Sequence, residues 1–255
     1  MSLPLDDRGL LLGDGLFETL LVIDGAPVWW AEHMARLRRG CVALSLPEPA
    51  EDDALAAARQ AMASGTAPPR AALRLTWTAG SGGRGLDRPA ILKPRLLASF
   101  APASRPTTPL RVATVSVRRN AGSPASRHKT LAYLDNVLAR REAHAAGADE
   151  AVMLNTDGDV ACAAAANIFW VEDGELFTPA LDCGVLDGLA RAAVMTRVAA
   201  LGVALHEVRA GPAALARAEA VFLTNSLMGL RPAATLDERR LNRPPLLDAL
   251  AEDLP

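Results

Sequence analysis

Lysine is scarce in this chain, and one of its lysines lies where it could do chemistry. Of the 27 lysines and arginines, two are lysine, Lys93 and Lys129. An ε-amine can lose its proton and form a Schiff base with an aldehyde, whereas a guanidinium stays charged and cannot. Lys93 lies in an extended run before a proline and is typical of a surface residue. Lys129 is therefore the candidate nucleophile, with an ordinary solvated charge as the alternative.

Two other segments could bind an anion through main-chain donors. Residues 184–191 form a turn that leads into a helix, so the N–H groups of Leu189 and Ala190 would lie at its positive end. Residues 224–227 end a strand with three polar side chains, which predicts either a phosphate contact or a polar turn. No GxSxG pattern surrounds Ser226, so a hydrolase nucleophile is not indicated.

A glycine-rich segment at residues 80–85 matches the GxGxxG pattern of dinucleotide-binding proteins. In those proteins a helix follows the glycines and directs its N-terminus at a pyrophosphate. Here residues 86–94 contain two prolines and cannot form that helix. The segment is either a flexible connection between strands or a loop that covers a substrate, in which Arg84 could pair with a carboxylate.

The composition excludes several classes of protein. Half of the residues are hydrophobic and 22% are charged, as in a globular protein with a real core. The net charge of −2 and the lack of like-charge blocks argue against a nucleic-acid partner. Three cysteines without a CxxC pair and scattered histidines predict no metal site and a reducing compartment. With no membrane-length apolar run and no signal-peptide pattern, we expect a cytoplasmic protein.

The first part of the chain predicts a strand and a helix before a linker. Leu16–Ile23 is predicted as a buried strand followed by an Asp-Gly turn, and Glu32–Leu44 has helical spacing. Three prolines among residues 102–109 indicate a linker. The order of elements therefore predicts two α+β halves, an N-terminal domain of residues 1–105 and a C-terminal domain of residues 106–255.

After the linker, the clearest predicted helix follows Lys129 directly. It covers Leu131–Gly147, with Leu134 and Leu138 on its apolar side and a glycine as its stop. Hairpin strands are predicted at Glu150–Leu154 and Asn167–Val171.

Together these segments resemble the fold-type IV pyridoxal phosphate enzymes, which include 4-amino-4-deoxychorismate lyase, D-amino acid aminotransferase and branched-chain aminotransferase. The resemblance implies a mixed α/β (α+β) fold like that of D-amino acid aminotransferase, with the cofactor between two domains and usually a homodimer. The matching stretches occur in the family's order over nearly the whole chain: residues 7–19, 33–37, Lys129 with its helix, 165–169, 184–191 and 223–232.

The resemblance also implies roles for individual residues. Lys129 would form the Schiff base with pyridoxal 5′-phosphate and then move the substrate's proton as general base and acid. The implied contacts to the cofactor phosphate are Arg36, Leu189 and Ala190 (main chain), Ser226 and Leu227.

One position departs from the family pattern. Relatives usually have a glutamate five residues before Asn167, where it pairs with the pyridine nitrogen, but this chain has Cys162. A thiol with a pKa of about 8.5 is mostly neutral at pH 7 and a poor acceptor, so the ring would be less protonated. Transamination relies on a stabilised carbanion and should suffer most. Cys162 therefore favours a lyase, unless Asp157 or Asp159 supplies the carboxylate.

The sequence thus predicts a lyase that converts aminodeoxychorismate, a carboxylate-bearing amine, into 4-aminobenzoate and pyruvate for folate synthesis. The Ser-Gly-Gly-Arg-Gly run at residues 81–85 also resembles the lyase branch. One alternative is an aminotransferase of D-amino or branched-chain amino acids. Another is a non-catalytic cofactor-binding relative, which would account for Cys162 and for Ala132, where relatives usually have asparagine.

Overall fold

The structure is a computed structural model that describes residues 3–63, 68–252 and 254. The chain forms two compact units, residues 1–104 with 128–132, and residues 105–127 with 133–255. The short segment that carries Lys129 therefore belongs to the first unit, although its neighbours on both sides in the sequence belong to the second. Strands and helices mix in both units, so the predicted α/β class is confirmed.

In the first unit, the described residues form an antiparallel sheet with the strand order β2-β1-β3-β4. Helices α2 and α3 are its longer helices. The elements of this unit are α1 (Arg8–Leu12), β1 (Gly15–Ile23), β2 (Ala26–Pro27), α2 (Trp30–Ala43), α3 (Glu51–Met62), β3 (Arg70–Thr78) and β4 (Arg95–Pro102).

Strand β1 is the apolar centre of the first unit. Side chains alternate between the two faces of a strand, so Leu16, Glu18 and Leu20 share one face. Leu16 and Leu20 are buried in a core with Met34 and Leu37 of α2. The sequence therefore places a carboxylate, at Glu18, on a face that is otherwise apolar.

Residues 129–131 pair with the beginning of β1. The Phe17 N–H donates to the Lys129 carbonyl oxygen at 2.9 Å, and the Leu131 N–H donates to the Gly15 carbonyl oxygen at 3.0 Å. A Cβ on Gly15 would lie 2.8 Å from the Leu131 side chain, so glycine permits this close approach. Because these residues are extended, the helix predicted from Leu131 begins instead at Leu134.

In the second unit, the described residues form a mixed sheet with the order β10-β9-β8-β11-β12-β5-β6-β7, and β13 pairs with β12. The elements of this unit are β5 (Leu110–Arg119), α4 (Pro124–Arg127), α5 (Leu134–Ala145), β6 (Glu150–Asn155), β7 (Val160–Ala163), β8 (Asn167–Glu172), β9 (Glu175–Pro179), a 3₁₀ turn (Leu181–Cys183), α6 (Leu189–Ala200), β10 (Leu205–Val208), α7 (Pro212–Arg217), β11 (Ala220–Asn225), β12 (Gly229–Leu236), β13 (Arg239–Arg240) and α8 (Pro245–Ala251).

Helix α5 packs against the sheet through small residues. Ala139 and Ala143 are fully buried, whereas Leu134 and Leu138 are 69% and 40% exposed. The prediction that the two leucines form the buried side is therefore wrong. The Asn136 amide sets the orientation of the helix, because it is buried and donates to the carbonyl oxygen of residue 164 at 2.8 Å.

Within the described residues, no helix combines the length and the apolar character that crossing a bilayer would require.

Candidate active site

A buried carboxylate, that of Glu18, organises the charged groups of the first unit. It accepts hydrogen bonds from Arg36 Nε at 2.8 Å and from Arg36 Nη2 at 2.6 Å. The His33 Nδ1 atom lies 2.7 Å from the same carboxylate. His33 and Arg36 are three residues apart on α2, so both reach β1 from one face of the helix.

These contacts keep Glu18 ionised. Burial alone would raise the pKa of the Glu18 carboxyl, but the hydrogen bond and charge of Arg36, and then those of His33, lower it to about 2. Arg36 is therefore held beside a permanent negative charge throughout the physiological pH range. A guanidinium fixed in this way can present its remaining surface to a second anion.

The Lys129 amine lies beside this group. Its Nζ atom is 4.2 Å from the centre of the Phe17 ring, and the Arg74 guanidinium carbon is 3.7 Å from the same ring centre. Part of the lysine side chain is accessible to solvent, but the surrounding protein desolvates the amine.

Burial is the main reason that the pKa of Lys129 falls to about 8. The charge of Glu18 opposes this lowering, whereas the charges of Arg36 and Arg74 add to it. At pH 7 about a tenth of such an amine is neutral, against far less than a hundredth for a lysine in water. The amine is thus able to attack an aldehyde near neutral pH.

The structure therefore brings two of the predicted site residues, Arg36 and Lys129, to the same carboxylate. Neither Glu18 nor His33 was predicted from the sequence to have a role. A glutamate in the middle of a strand of leucines and valines was the available signal, since buried acids are rare unless they are paired.

The predicted main-chain donors lie at the start of α6 in the second unit. Gly188 precedes this helix and provides no side-chain cap, so the first N–H groups, including those of Leu189 and Ala190, lack that partner. A Cβ on Gly188 would overlap the Asn167 side-chain oxygen. Any side chain at residue 188 would therefore have to displace the Asn167 amide.

Two asparagines join three segments of the second unit near this helix start. Asn167 donates to the carbonyl oxygen of Leu186 at 2.9 Å, and Asn225 donates to that of Ala165 at 3.0 Å. Thr224 lies opposite Asn167 in the pairing of β11 with β8. The segments 165–167, 186–190 and 224–228 are thus assembled in one place.

The end of β11 offers polar groups of two kinds. The Leu227 N–H, a predicted phosphate contact, already donates to the Asn225 side chain at 3.0 Å. The Ser226 side chain makes no hydrogen bond within the described residues. The Thr224 hydroxyl is fully buried and also lacks a partner in this part of the chain. An unpaired buried hydroxyl is costly, so it indicates a polar group that the protein is built to receive.

Cys162 is buried on β7 opposite Met153, in a core of small residues. Burial raises the pKa of its thiol, the charge of Arg119 lowers it and that of Glu150 raises it. Neither Asp157 nor Asp159 is among the charges that act on this thiol, and the N–H groups of both bind Asn155 in a turn.

The two charged residues that act on Cys162, Glu150 and Arg119, have different kinds of partner. The Glu150 carboxylate pairs with Arg140 and accepts from the Ala151 N–H. Arg119 is buried and donates to Asn136 at 3.1 Å and to the Ser126 carbonyl oxygen at 2.6 Å. Among the described residues it has no carboxylate partner.

Arg84 lies in the exposed loop between β3 and β4. The buried Arg8 guanidinium donates to the carbonyl oxygens of Gly85, Leu86 and Asp87 at 3.0–3.3 Å, so the loop is held in place. No helix follows the glycines. The described residues contain no cluster of His, Cys, Asp or Glu arranged to bind a metal ion.

The family model of amino-transferase class IV matches residues 15–236. The chain belongs to the class IV aminotransferase family. Enzymes of this family depend on pyridoxal 5′-phosphate, and this family member is an enzyme of that kind.

Curated relatives of the enzyme include lyases and aminotransferases. It is 28% identical to the aminodeoxychorismate lyase of Bacillus subtilis over 236 residues, which cover 91% of this chain and 80% of the relative. It is 32% identical to a putative branched-chain-amino-acid aminotransferase of Methanocaldococcus jannaschii over 241 residues, 92% of this chain and 83% of the relative.

Solved structures confirm the fold-type IV architecture of this family member. A putative 4-amino-4-deoxychorismate lyase from Legionella pneumophila matches with a TM-score of 0.90 and 29% identity, over 98% of this chain and 93% of the other. The pyridoxal-phosphate-bound form of a hypothetical aminotransferase from Mycobacterium tuberculosis matches with a TM-score of 0.85 and 28% identity, over 99% and 91%.

The residues of this class IV enzyme fit the cofactor chemically. In the first unit, a partly neutral lysine amine suits an aldehyde and a guanidinium suits an anion. In the second unit, the start of a helix suits a phosphate, as does a buried hydroxyl that has no partner among the described residues.

We predict that Gly188→Ala weakens binding of pyridoxal phosphate by about tenfold or more, because the added Cβ must displace Asn167 or the start of α6. Titration of the cofactor-free enzyme, followed by visible absorbance, measures the affinity. The affinity of Gly188→Ala for pyridoxal, which has no phosphate, should fall much less. Gly211→Ala is the matched control, since Gly211 also precedes a helix with a negative φ, but its added Cβ would meet only the Gly158 carbonyl oxygen, at an ordinary 3.9 Å. Equal affinities in the two variants would contradict the assignment.

Proposed function

We propose that this family member is an aminodeoxychorismate lyase, which forms 4-aminobenzoate and pyruvate for folate synthesis. The environment of Cys162 carries the proposal, with support from the lyase relative of Bacillus subtilis. We also propose that the enzyme works in the cytoplasm as a homodimer, as the resemblance to its family implies.

Lys129 is the proposed nucleophile and proton carrier. The bound cofactor supplies an electron sink for bonds at the carbon next to the substrate nitrogen. Lys129 would hold the cofactor through its aldehyde and would then move the substrate's proton, which suits a group whose pKa is about 8. The proposed phosphate contacts are Arg36, Leu189, Ala190, Ser226 and Leu227, to which we add Thr224.

The Cys162 thiol is neutral because burial raises its pKa. It therefore provides no negative charge at the position where relatives pair a carboxylate with the ring nitrogen. The nearby Arg119 guanidinium is positive and has no carboxylate partner among the described residues. Both features disfavour a proton on that nitrogen and so weaken the electron sink.

A weaker sink affects the two candidate reactions differently. Transamination depends on a carbanion that persists until the proton is placed on the cofactor. Loss of pyruvate from aminodeoxychorismate is also driven by formation of an aromatic ring. The lyase is thus the reaction that tolerates a neutral thiol better.

Arg84 is the proposed partner of a substrate carboxylate. It is exposed, and the loop that carries it is held in place by Arg8. A charged guanidinium on an ordered loop loses less entropy on binding an anion than one on a mobile loop.

The second candidate is an aminotransferase of branched-chain or D-amino acids. The 32% identity to the Methanocaldococcus jannaschii protein favours it. In this case Cys162 would be tolerated because another group protonates the ring.

A comparison of substrates tests the proposal. Aminodeoxychorismate should yield equal amounts of 4-aminobenzoate and pyruvate. D-alanine or leucine should not rapidly convert the absorbance of the bound cofactor to that of its aminated form, and 2-oxoglutarate should not restore it. Rapid conversion without formation of 4-aminobenzoate would favour the aminotransferase.

Lys129→Ala should abolish turnover and the visible absorbance of covalently bound cofactor while leaving the circular dichroism spectrum unchanged. The reason is that alanine has no amine to bond the aldehyde. Lys93→Ala is the matched control, because it removes the other lysine of the chain, which is exposed. Retention of activity in Lys129→Ala would refute the role of this residue.

Cys162→Glu should increase the rate of half-transamination by about tenfold or more, because a carboxylate stabilises a proton on the ring nitrogen. Glutamine has nearly the same volume as glutamate but no charge, so Cys162→Gln should not increase the rate of half-transamination. Stopped-flow absorbance with D-alanine or leucine measures the rate. If glutamate and glutamine behave alike, protonation of the ring is not what limits transamination.

A further inference from the structure

Glu18 occupies an unusual position, because one buried carboxylate binds the arginine proposed for the cofactor and also acts through its charge on the proposed lysine. It binds Arg36 through Nε and Nη2 at 2.8 and 2.6 Å and lies 2.7 Å from His33 Nδ1. Glu18 and His33 are both fully buried, so solvent cannot replace these contacts.

The backbone fixes the lysine relative to this carboxylate. Phe17, the residue directly before Glu18, donates its N–H to the Lys129 carbonyl oxygen at 2.9 Å. The Phe17 ring also contacts the lysine amine. A shift of β1 would therefore move the carboxylate, the ring and the lysine together.

We propose that Glu18 is a positioning residue of this enzyme, a buried carboxylate that holds Arg36 in place and supplies the negative charge beside the Lys129 segment. The part of the proposal that concerns catalysis rests on the proposed role of Lys129. The electrostatic part concerns the folded chain alone.

The charges around Lys129 support this role. Arg36 and Arg74 are positive and both lower the pKa of the amine, as does burial, while Glu18 raises it. His33 contacts Glu18 from the same helix as Arg36. Without Glu18, its negative charge would no longer oppose the two guanidinium groups, and the amine would lose its proton at a lower pH. A lysine that stays neutral can still attack an aldehyde, but it returns a proton poorly as a general acid.

The scarcity of lysine makes the test direct. Full-length enzyme freed of its cofactor and labelled with carbon-13 at lysine Cε should give two lysine resonances, one from Lys93 and one from Lys129. The Lys93→Arg variant assigns them. In Glu18→Gln we expect the titration midpoint of Lys129 to fall by about one pH unit, while that of the exposed Lys93 stays constant.

The direction in which the Lys129 titration midpoint moves distinguishes loss of the Glu18 charge from structural damage to the site. A loosened or hydrated site would move the Lys129 midpoint upward, toward that of a lysine in water, whereas loss of the Glu18 charge moves it downward. Asp14→Asn is the matched control. Asp14 binds Arg8 at 2.9 Å and Arg88 at 2.5 Å in the same unit, but its charge does not act on Lys129.

A second pair of variants also removes the Arg36 charge, in case Glu18→Gln does not fold. Arg36→Gln should raise the Lys129 midpoint, and adding Glu18→Gln to it should lower the midpoint again. If Lys129 titrates at the same pH with and without the Glu18 charge, or if its midpoint rises when that charge is removed, the proposal is overturned.

Activity is measured separately. If the titration responds as expected but the wild-type enzyme turns over neither substrate class, the proposed function fails while the electrostatic role of Glu18 stands. If the enzyme is an active lyase and the midpoint of Lys129 does not move, the function stands and the role of Glu18 fails. In an active enzyme, the pH profile of kcat should shift downward in Glu18→Gln together with the titration.

Discussion

An ionised carboxylate inside an apolar strand costs several kcal/mol unless charged donors replace its water, and Glu18 is stable only because α2 brings Arg36 and His33 to it. The same requirement orders the first unit. It fixes which face of α2 meets β1, and it holds Arg36 with a defined orientation. Because the Lys129 segment pairs with β1 next to Glu18, the reactivity of the amine depends on the same carboxylate.

In the second unit, hydrogen bonds between neutral groups hold segments in place, as the contacts of Glu18 do in the first unit. Asn167 and Asn225 bind carbonyl oxygens of residues that lie outside the helices and strands. The helix start after Gly188 has no side-chain cap, and the Thr224 hydroxyl has no partner among the described residues. Unsatisfied donors held by a rigid sheet are the usual preparation for an anion, since they need no reorganisation when it binds.

The core around Cys162 contains the charged groups on which the lyase proposal depends. The alanines of α5 pack closely on the sheet, so the thiol is buried and stays neutral. Arg119 remains beside it, bound to an amide and a carbonyl and to no carboxylate in the described part of the chain. Such a region is more positive than one with a glutamate. This difference in charge, more than any difference in fold, is what separates the lyase proposal from the aminotransferase.

The sequence by itself determined the family and the mixed α/β class, and it predicted a role for Lys129 and none for Lys93, because motif order and residue chemistry are local properties. It also indicated the helix start after Gly188, since a turn with glycines before an apolar helix is readable from a few residues. It placed the helix after Lys129 three residues too early and its buried face on Leu134 and Leu138. Only the tertiary structure decided these points, because Leu131 pairs with β1 and Asn136 orients the helix. The partnership of Glu18 with Arg36 and Lys129 was also beyond the sequence, since the three residues are far apart along the chain and their charges interact only when the strands align.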